Sequence, residues 1–203
     1  KGQGTTGLGK PLKSILSAQP DIPIYTASIT PAGLRCAGEV ADGVFPVWMD
    51  PNKYAVLGEH LEAGFATAGN GKGLKDFDIA PFVSVVLNDD LDSAFDALRP
   101  WIALYIGGMG AKGKNFYHDY ATALGYGDVA GRIQDLYLAG QKTEAEALVP
   151  NSLLDEVSLI GSKERIIERL GPWKEAGKRG EVGTMLLGVH DPVVMELLAG
   201  ELL

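Results

Sequence analysis

The sequence predicts an α/β fold of the TIM (β/α)8 barrel type, of which this chain covers about the second half, with four parallel strands and a helical insertion. Apolar runs bounded by turn residues alternate with stretches of helical periodicity, as in a parallel sheet covered on both faces. The chain has 203 residues and opens inside a glycine-rich loop without a preceding strand, whereas a complete barrel takes ~250 residues. The alternative is a small doubly wound sheet complete in itself, although such a domain normally begins with its own first strand.

The stretch from Ile22 to Met49 is the clearest strand–helix–strand unit. Residues 22–28 and 44–49 predict two strands, and Asp42-Gly43 ends the helix between them. That helix begins with Thr30, a good N-cap, and with Pro31 at the first helical position, where a missing N–H costs nothing. Its apolar stripe is Leu34, Ala37 and Val40, with Cys36 and Ala41 beside it.

The joint between the first strand and this helix carries the predicted function. A helix that starts directly after a buried strand points its free N–H groups out of the carboxyl end of the strand, where parallel α/β folds bind ligands. The candidates for holding a phosphate are therefore Ser28, Ile29, Thr30, Ala32 and Gly33. The alternative is that Thr30 only caps its helix and that the joint binds nothing.

The remaining elements follow the same alternation within one predicted domain. A glycine-rich loop spans 1–21, three strand–helix units span 22–106, a helical insertion spans 107–160, and a last helix–strand–helix unit spans 161–203. Strands are predicted at 78–87 and 183–189, and helices at 50–69, 90–105, 162–177 and 191–203. The insertion contains only helical pattern, including residues 153–159, and we expect it to pack over the barrel mouth or to form a subunit contact.

The opening glycine-rich loop matches nucleotide motifs only in part. Gly2-x-Gly4-x-x-Gly7 has the dinucleotide spacing, and Gly4 to Lys10 has most of a P-loop. Pro11 stands where a P-loop needs Ser or Thr for magnesium, and no strand precedes the loop. With Lys10 and Lys13, the loop either covers the anionic tail of a ligand or is a simple connection.

Charge and composition exclude several classes of partner. The net charge of −8 disfavours nucleic acid and anionic membranes, which would be repelled. No apolar run reaches the ~18 residues of a membrane span, and a single cysteine indicates a reducing, cytoplasmic setting. We predict a soluble protein with no metal site. We assign no catalytic residue, because nothing in the sequence singles out His60, His118 or His190 for that role.

Four stretches resemble the bacterial luciferase-like flavin and deazaflavin oxidoreductases. They are IPIYTASITPAGLRCAGEVADGVFPVW from residue 22, SLIGSKERIIERLGPWKEAG from residue 158, and the pair GQGTTGLGKPLKSIL and ALYIGGMGAKGKNFYHDYATALGY. The last pair is similar to the branch that uses coenzyme F420, an 8-hydroxy-5-deazaflavin. The resemblance implies the C-terminal three-fifths or so of a barrel of the bacterial luciferase-like type.

The resemblance also implies a set of cofactor-binding residues. The cofactor phosphate is expected at Ser28, Ile29, Thr30, Pro31, Ala32 and Gly33, and at Val47, Trp48 and Met49 after the next strand. Further candidates for the same cofactor are Gly4, Thr5, Thr6, Gly7 and Lys10. Many members have Gly-Gly where this chain has Ile29-Thr30, which removes backbone freedom and adds a hydroxyl donor.

The implied activity is hydride transfer between F420 and a small organic substrate. The resemblance also implies a homodimer, with the proton donor expected in the first half of the barrel. The runner-up is an FMN-dependent monooxygenase of the same superfamily. Two other hypotheses are a cofactor-free structural or interaction subunit and a phosphate-binding barrel enzyme such as a sugar-phosphate isomerase. The isomerase needs acid–base groups at strand ends, where only His190 is suitable.

Overall fold

Short parallel strands separated by helices make up the described part of the chain. The structure is a computed structural model, and it describes residues 21–189 and 191–203 together with residues 4, 15, 17 and 19. The strands are β1 (Tyr25–Thr26), β2 (Gly43–Val44), β3 (Asp78–Ile79), β4 (Phe82–Leu87), β5 (Ser158–Gly161) and β6 (Leu186–Gly188). The α-helices are α1 (Pro31–Val40), α2 (Ala55–Ala68), α3 (Leu91–Asp96), α4 (Arg99–Ala103), α5 (Phe116–Ala121), α6 (Gly127–Leu138), α7 (Lys142–Ala147), α8 (Asn151–Glu156), α9 (Lys163–Lys178) and α10 (Pro192–Leu202). A 3-10 turn at Leu74–Asp76 and π-helical turns at Leu104–Gly108 and Thr122–Tyr126 complete the list.

The six strands lie in two parallel sheets of three, in the orders β1-β2-β3 and β5-β4-β6. The sheets are adjacent because only Ala80-Pro81 separates β3 from β4. An isolated parallel bridge between Val47 and Phe82 also extends the first sheet towards the second. The α/β fold class is therefore as predicted. The described residues form six strands in two sheets, however, and not the four strands that were predicted.

The missed strand is β5, which lies inside the segment predicted to be wholly helical. Its residues are buried and pair in parallel with β4, from Ser84 opposite Ser158 to Leu87 opposite Gly161. Helix α8 ends at Glu156, so the helical pattern of 153–159 was wrong over its last residues. A four-residue apolar run has no periodicity that separates a strand from a buried helical turn.

The predicted strands are also shorter than their apolar runs. Ile22 and Ile24 are 60% and 64% exposed and precede β1. The run 78–87 is interrupted at Pro81, which has no N–H to donate to a neighbouring strand. The predicted helix 90–105 is likewise divided into α3 and α4, with Pro100 in the first turn of α4.

Helices α1 and α2 pack backbone against backbone. A Cβ on Gly38 would lie 2.5 Å from the Leu61 carbonyl oxygen, and one on Gly64 would lie 2.2 Å from the Arg35 carbonyl oxygen. Leu34 and Ala37 of α1 are buried, but Val40 is 69% exposed, so its place in the predicted stripe was wrong. The close packing fixes α1, and with it the joint at its N-terminus.

Asp78, at the start of β3, connects strands of both sheets. Its Oδ2 accepts hydrogen bonds from the Tyr25 hydroxyl (2.8 Å) in β1 and from the Thr184 hydroxyl (2.8 Å) just before β6. The hydrogen bond to Asp78 is the largest cause of a raised Tyr25 pKa. No described helix is both long enough and apolar enough to cross a bilayer.

Candidate functional site

The joint between β1 and α1 has the predicted geometry of a helix start. Thr30 has extended backbone angles and caps α1, because its Oγ1 accepts from the Gly33 N–H at 3.1 Å. Its carbonyl oxygen accepts from the Leu34 N–H at 2.8 Å. Among the described residues, no acceptor is hydrogen-bonded to the backbone N–H groups of Ile29, Thr30 or Ala32. Within the described part of the chain these groups are therefore donors without an acceptor, as an anion site at a helix start requires.

Gly33 has no Cβ, and its absence leaves space at the joint. A Cβ at this position would lie 2.9 Å from both Ser28 Oγ and Thr30 Oγ1 and 3.1 Å from Ser28 Cβ. Ser28, Thr30 and Gly33 are half-buried, whereas Pro31 and Ala32 are exposed. The missing Cβ of Gly33 thus leaves space for the Ser28 and Thr30 hydroxyl groups on the same side of this residue.

Two cavities flank this corner. The joint cavity, about 220 Å³, is lined by Ala27, Ser28, Ile29, Thr30, Phe45, Val47, Phe116 and Tyr117. The side cavity, about 250 Å³, is lined by Ile29, Thr30, Pro31, Val56, His60, Phe116, Asp119, Tyr120 and Ala123. Each is smaller than a typical pocket for a complete cofactor, so the joint cavity has room for one end of such a molecule. A larger apolar cavity of about 840 Å³ lies between α9, β6 and α10 and includes none of the predicted residues.

The second predicted segment, Val47 to Met49, lies mostly outside the two cavities at the joint. Val47 lines the joint cavity, but the side chains of Trp48 and Met49 are each only 1% exposed and line neither cavity at the joint. Trp48 has φ +53°, a left-handed conformation that is uncommon outside glycine and is often found at functional sites. Its carbonyl oxygen accepts from the Tyr120 hydroxyl at 3.3 Å, and burial raises the pKa of Tyr120.

Sequence reasoning missed the aromatic wall of the joint cavity. Phe45 comes from the chain after β2, while Phe116 and Tyr117 begin α5 in the helical segment. Tyr117 packs against Tyr105 (4.6 Å between ring centroids) and Trp48 (5.5 Å), and burial raises its pKa. The cluster FYHDY was visible as a concentration of aromatic residues, but only the fold brings it opposite residue 28.

A salt-bridge network holds the helical segment next to these residues. Lys53 Nζ lies 2.7 Å from Glu156 Oε2 and 3.5 Å from Asp50 Oδ2, and it donates to the Leu124 carbonyl oxygen at 3.1 Å. Burial is the largest single influence on the Lys53 pKa and lowers it, but the hydrogen bond to Glu156 and the charges of Glu156 and Asp50 together outweigh burial, so the pKa is raised overall. The ammonium therefore remains charged across the neutral range.

The other predicted candidates are distributed as follows. Of the histidines, His60 lines the side cavity, whereas His118 lies 3.5 Å from the Asp119 carboxylate. Gly4 is described, with φ +84°, and lines neither cavity at the joint. Thr5, Thr6, Gly7, Lys10 and His190 lie outside the described residues. Within the described part of the chain, no cluster of three or more His, Cys, Asp or Glu side chains has metal-binding geometry.

Comparison with known proteins identifies the family. Residues 5–180 match the family model described as luciferase-like monooxygenase. The chain belongs to that family. This confirms the resemblance predicted from the stretch that begins at Ile22.

The relatives are named for F420 and for reductase activity. A protein of Mycobacterium tuberculosis with the provisional name coenzyme F420-dependent oxidoreductase is 36% identical over 177 residues, which is 87% of this chain and 51% of that protein. The 5,10-methylenetetrahydromethanopterin reductase of Archaeoglobus fulgidus is 25% identical over 90% of this chain and 54% of its own length. The solved structure of the coenzyme F420-dependent tetrahydromethanopterin reductase from Methanopyrus kandleri matches 89% of this chain and 50% of its own, with a TM-score of 0.63 and 24% identity. This chain therefore spans about half the length of the relatives that it matches, and the structural match concerns the fold alone.

Proposed function

We propose that the protein containing this chain is an F420-dependent oxidoreductase that transfers a hydride to or from a small organic substrate. The observation that carries the proposal is the β1–α1 joint, where the Ile29 and Thr30 N–H groups have no acceptor among the described residues and, with the Ser28 and Thr30 hydroxyl groups, belong to residues that line the joint cavity. The M. tuberculosis relative, 36% identical, is named for the same cofactor. Both the local chemistry and the family therefore favour an anionic deazaflavin.

The residues of the joint fit the phosphate end of such a cofactor. Ile29, Thr30 and Ala32 would provide N–H donors, Ser28 and Thr30 would provide hydroxyl groups, and Gly33 would allow the phosphate to approach. When bound, the deazaflavin would supply the redox chemistry, while the protein binds and orients it. We also propose that Phe45, Phe116 and Tyr117 exclude water from the cavity and pack against the ligand.

The proposed architecture is a (β/α)8 barrel of which the two sheets described here form part. Its support is the parallel direction of all six strands and the adjacency of the sheets at Ala80-Pro81. In this arrangement the joint lies at the carboxyl ends of the strands, where barrel enzymes bind their ligands. Homodimer formation remains a prediction from the family resemblance, and light scattering of the full-length protein tests it. A cytoplasmic location remains a prediction from the single cysteine.

A titration of the full-length protein with oxidised F420, reduced F420 and FMN tests the proposed function. We expect F420 to bind and Thr30→Val to weaken that binding, because valine removes the hydroxyl at nearly the same volume. Thr30→Ser keeps the hydroxyl and is the matched control, with affinity close to that of the unsubstituted protein. Binding of neither cofactor would overturn the proposal in favour of a cofactor-free subunit.

An FMN-dependent monooxygenase is the second candidate, because the matching family model carries the description luciferase-like monooxygenase. The two candidates differ in the cofactor retained and in the use of oxygen. Selective binding of FMN together with oxygen-dependent turnover would support the monooxygenase. Selective binding of F420 without oxygen consumption supports the oxidoreductase.

A further inference from the structure

A buried asparagine outside the predicted site connects two parts of the helical segment. Asn115 is the N-cap of α5 and is 2% exposed. Its side-chain carbonyl oxygen accepts from the N–H groups of Tyr117 (3.0 Å) and His118 (3.3 Å). Its side-chain NH2 group donates to the carbonyl oxygens of Tyr105 (3.0 Å) and Ile106 (2.8 Å). All the hydrogen-bonding capacity of this amide is therefore used, half of it within α5 and half outside.

The two carbonyl groups belong to the π-helical turn at Leu104–Gly108. A π-helical turn departs from regular α-helical hydrogen bonding and occurs frequently at functional sites. This turn packs closely on α6, because a Cβ on Gly107 would lie 2.4 Å from the Cβ of Tyr137. The carbonyl groups that accept from Asn115 are therefore held in place by the packing of this turn on α6.

The chain between the turn and α5 is folded back tightly onto Asn115. A Cβ on Gly110 would lie 2.6 Å from the Lys114 carbonyl oxygen and 2.9 Å from the Asn115 Cα. Those contacts are with backbone atoms, which cannot move aside as a flexible side chain can. The position of Asn115 relative to the π-helical turn is thus determined by close packing and by two hydrogen bonds.

The two residues after Asn115 are Phe116 and Tyr117, which form the wall of the joint cavity opposite Ser28 and Thr30. We propose that Asn115 is a positioning residue for the ligand, because it ties the start of α5 to the π-helical turn and so sets the width of the joint cavity. The inference rests on the proposed function, since the ligand assumed there is F420. It goes beyond that function because it assigns an effect on ligand affinity to Asn115, which does not line the joint cavity.

Two substitutions separate this bridge from simple helix capping. Asn115→Ser keeps a capping hydroxyl for the N–H groups of α5 but is too short to reach the carbonyl groups of the π-helical turn. Asn115→Asp keeps the capping oxygen at the same length but replaces the NH2 donor with a second acceptor. If Asn115 only caps α5, both variants will bind F420 as the unsubstituted protein does.

The experiment measures the Kd of F420 for the full-length protein and for both variants, with near-UV circular dichroism to show that each is folded. We expect both Kd values to rise by about tenfold, because a displaced wall loses contact with the ligand; this change corresponds to about 1.4 kcal/mol of binding free energy. Asp76→Ala is the control, because Asp76 also bonds a nearby backbone N–H, at Gly73, but lines neither cavity. Its Kd should be unchanged.

A further variant keeps the inference testable if the Asn115 variants do not fold. Phe116 is 46% exposed, so Phe116→Ala removes part of the wall with little effect on folding, and it should raise the Kd to a similar degree. Where Asn115→Ser does fold, it should raise the Kd less in the Phe116→Ala background than it does alone, because the two act through the same wall. F420 binding with unchanged Kd in folded Asn115 variants, or in Phe116→Ala, would overturn this inference and leave the proposed function intact. No F420 binding by the unsubstituted protein would overturn both.

Discussion

At the scale of single residues, Gly33 is the position where the packing of the joint and the proposed ligand binding depend on the same atoms. Its missing side chain leaves the Ser28 and Thr30 hydroxyl groups in one corner. The absence of a Cβ, rather than an unusual backbone angle, is what matters here, because Gly33 lies within the regular helix α1. An added methyl group must therefore displace those two side chains.

We predict that Gly33→Ala weakens F420 binding by about tenfold, as expected when hydrogen bonds to a charged group are disturbed. Alanine favours a helix over glycine by up to about 1 kcal/mol, which offsets the disturbed cap, so the melting temperature should change little. Isothermal titration calorimetry and thermal unfolding measure the two quantities. Gly131→Ala, in open space on α6, is the control and should leave affinity unchanged. Equal affinity for Gly33→Ala would argue against the joint as the binding site.

Tyr54 gives a prediction about pH. Its hydroxyl is buried without a hydrogen-bond partner among the described residues, and burial raises its pKa to about 12. An unfolded tyrosine ionises near 10, so between about pH 10 and 12 the unfolded state loses this proton first and the free energy of unfolding falls. Tyr54→Phe should therefore make that alkaline loss shallower and leave stability at pH 7 unchanged or about 1 kcal/mol higher. Urea unfolding at a series of pH values tests this, and identical curves would contradict it.

At the scale of elements, replacing glycine by alanine should have opposite effects on stability at the α1–α2 contact and in the open space on α6. Gly64→Ala places a methyl group 2.2 Å from the Arg35 carbonyl oxygen and 2.9 Å from the Glu39 nitrogen, so the helices must separate. We expect a loss of about 2–3 kcal/mol from this overpacking. Gly131→Ala meets no atom within 4 Å and should gain about 0.5–1 kcal/mol from helix propensity. Urea unfolding of both variants checks the signs; a stable Gly64→Ala would mean that the helices pack less closely.

The elements also show what local sequence signals predict well. Thr30 and Pro31 mark the start of α1, and Ser162 marks the start of α9, because caps depend on neighbouring residues only. Strand β5 and the left-handed backbone of Trp48 depend on contacts with distant residues, and no local pattern contains them. The same reason explains why Ser28 to Gly33 were named from the sequence, whereas Phe116 and Tyr117 were not.

At the scale of the whole molecule, Asp78 holds the two sheets together where their strands begin. Asp78→Ala should cost about 2–3 kcal/mol, since it removes two hydrogen bonds to a carboxylate and leaves two hydroxyl groups without their partner. Hydrogen exchange should become faster in both β1 and β6. Tyr25→Phe removes only one of the bonds and should cost about 1 kcal/mol, with exchange in β6 unchanged. Faster exchange in neither strand after Asp78→Ala would show that the sheets are held together by other contacts.

The two walls of the joint cavity have separate origins in the chain. Ser28 and Thr30 belong to a strand–helix joint, whereas Phe116 and Tyr117 belong to the segment of helices inserted after β4. Mutational drift or laboratory selection at positions 116 and 117 can therefore alter which molecules the joint cavity admits while the residues proposed to bind the anion stay the same. A combinatorial library restricted to those two codons would explore new specificities on an unchanged scaffold.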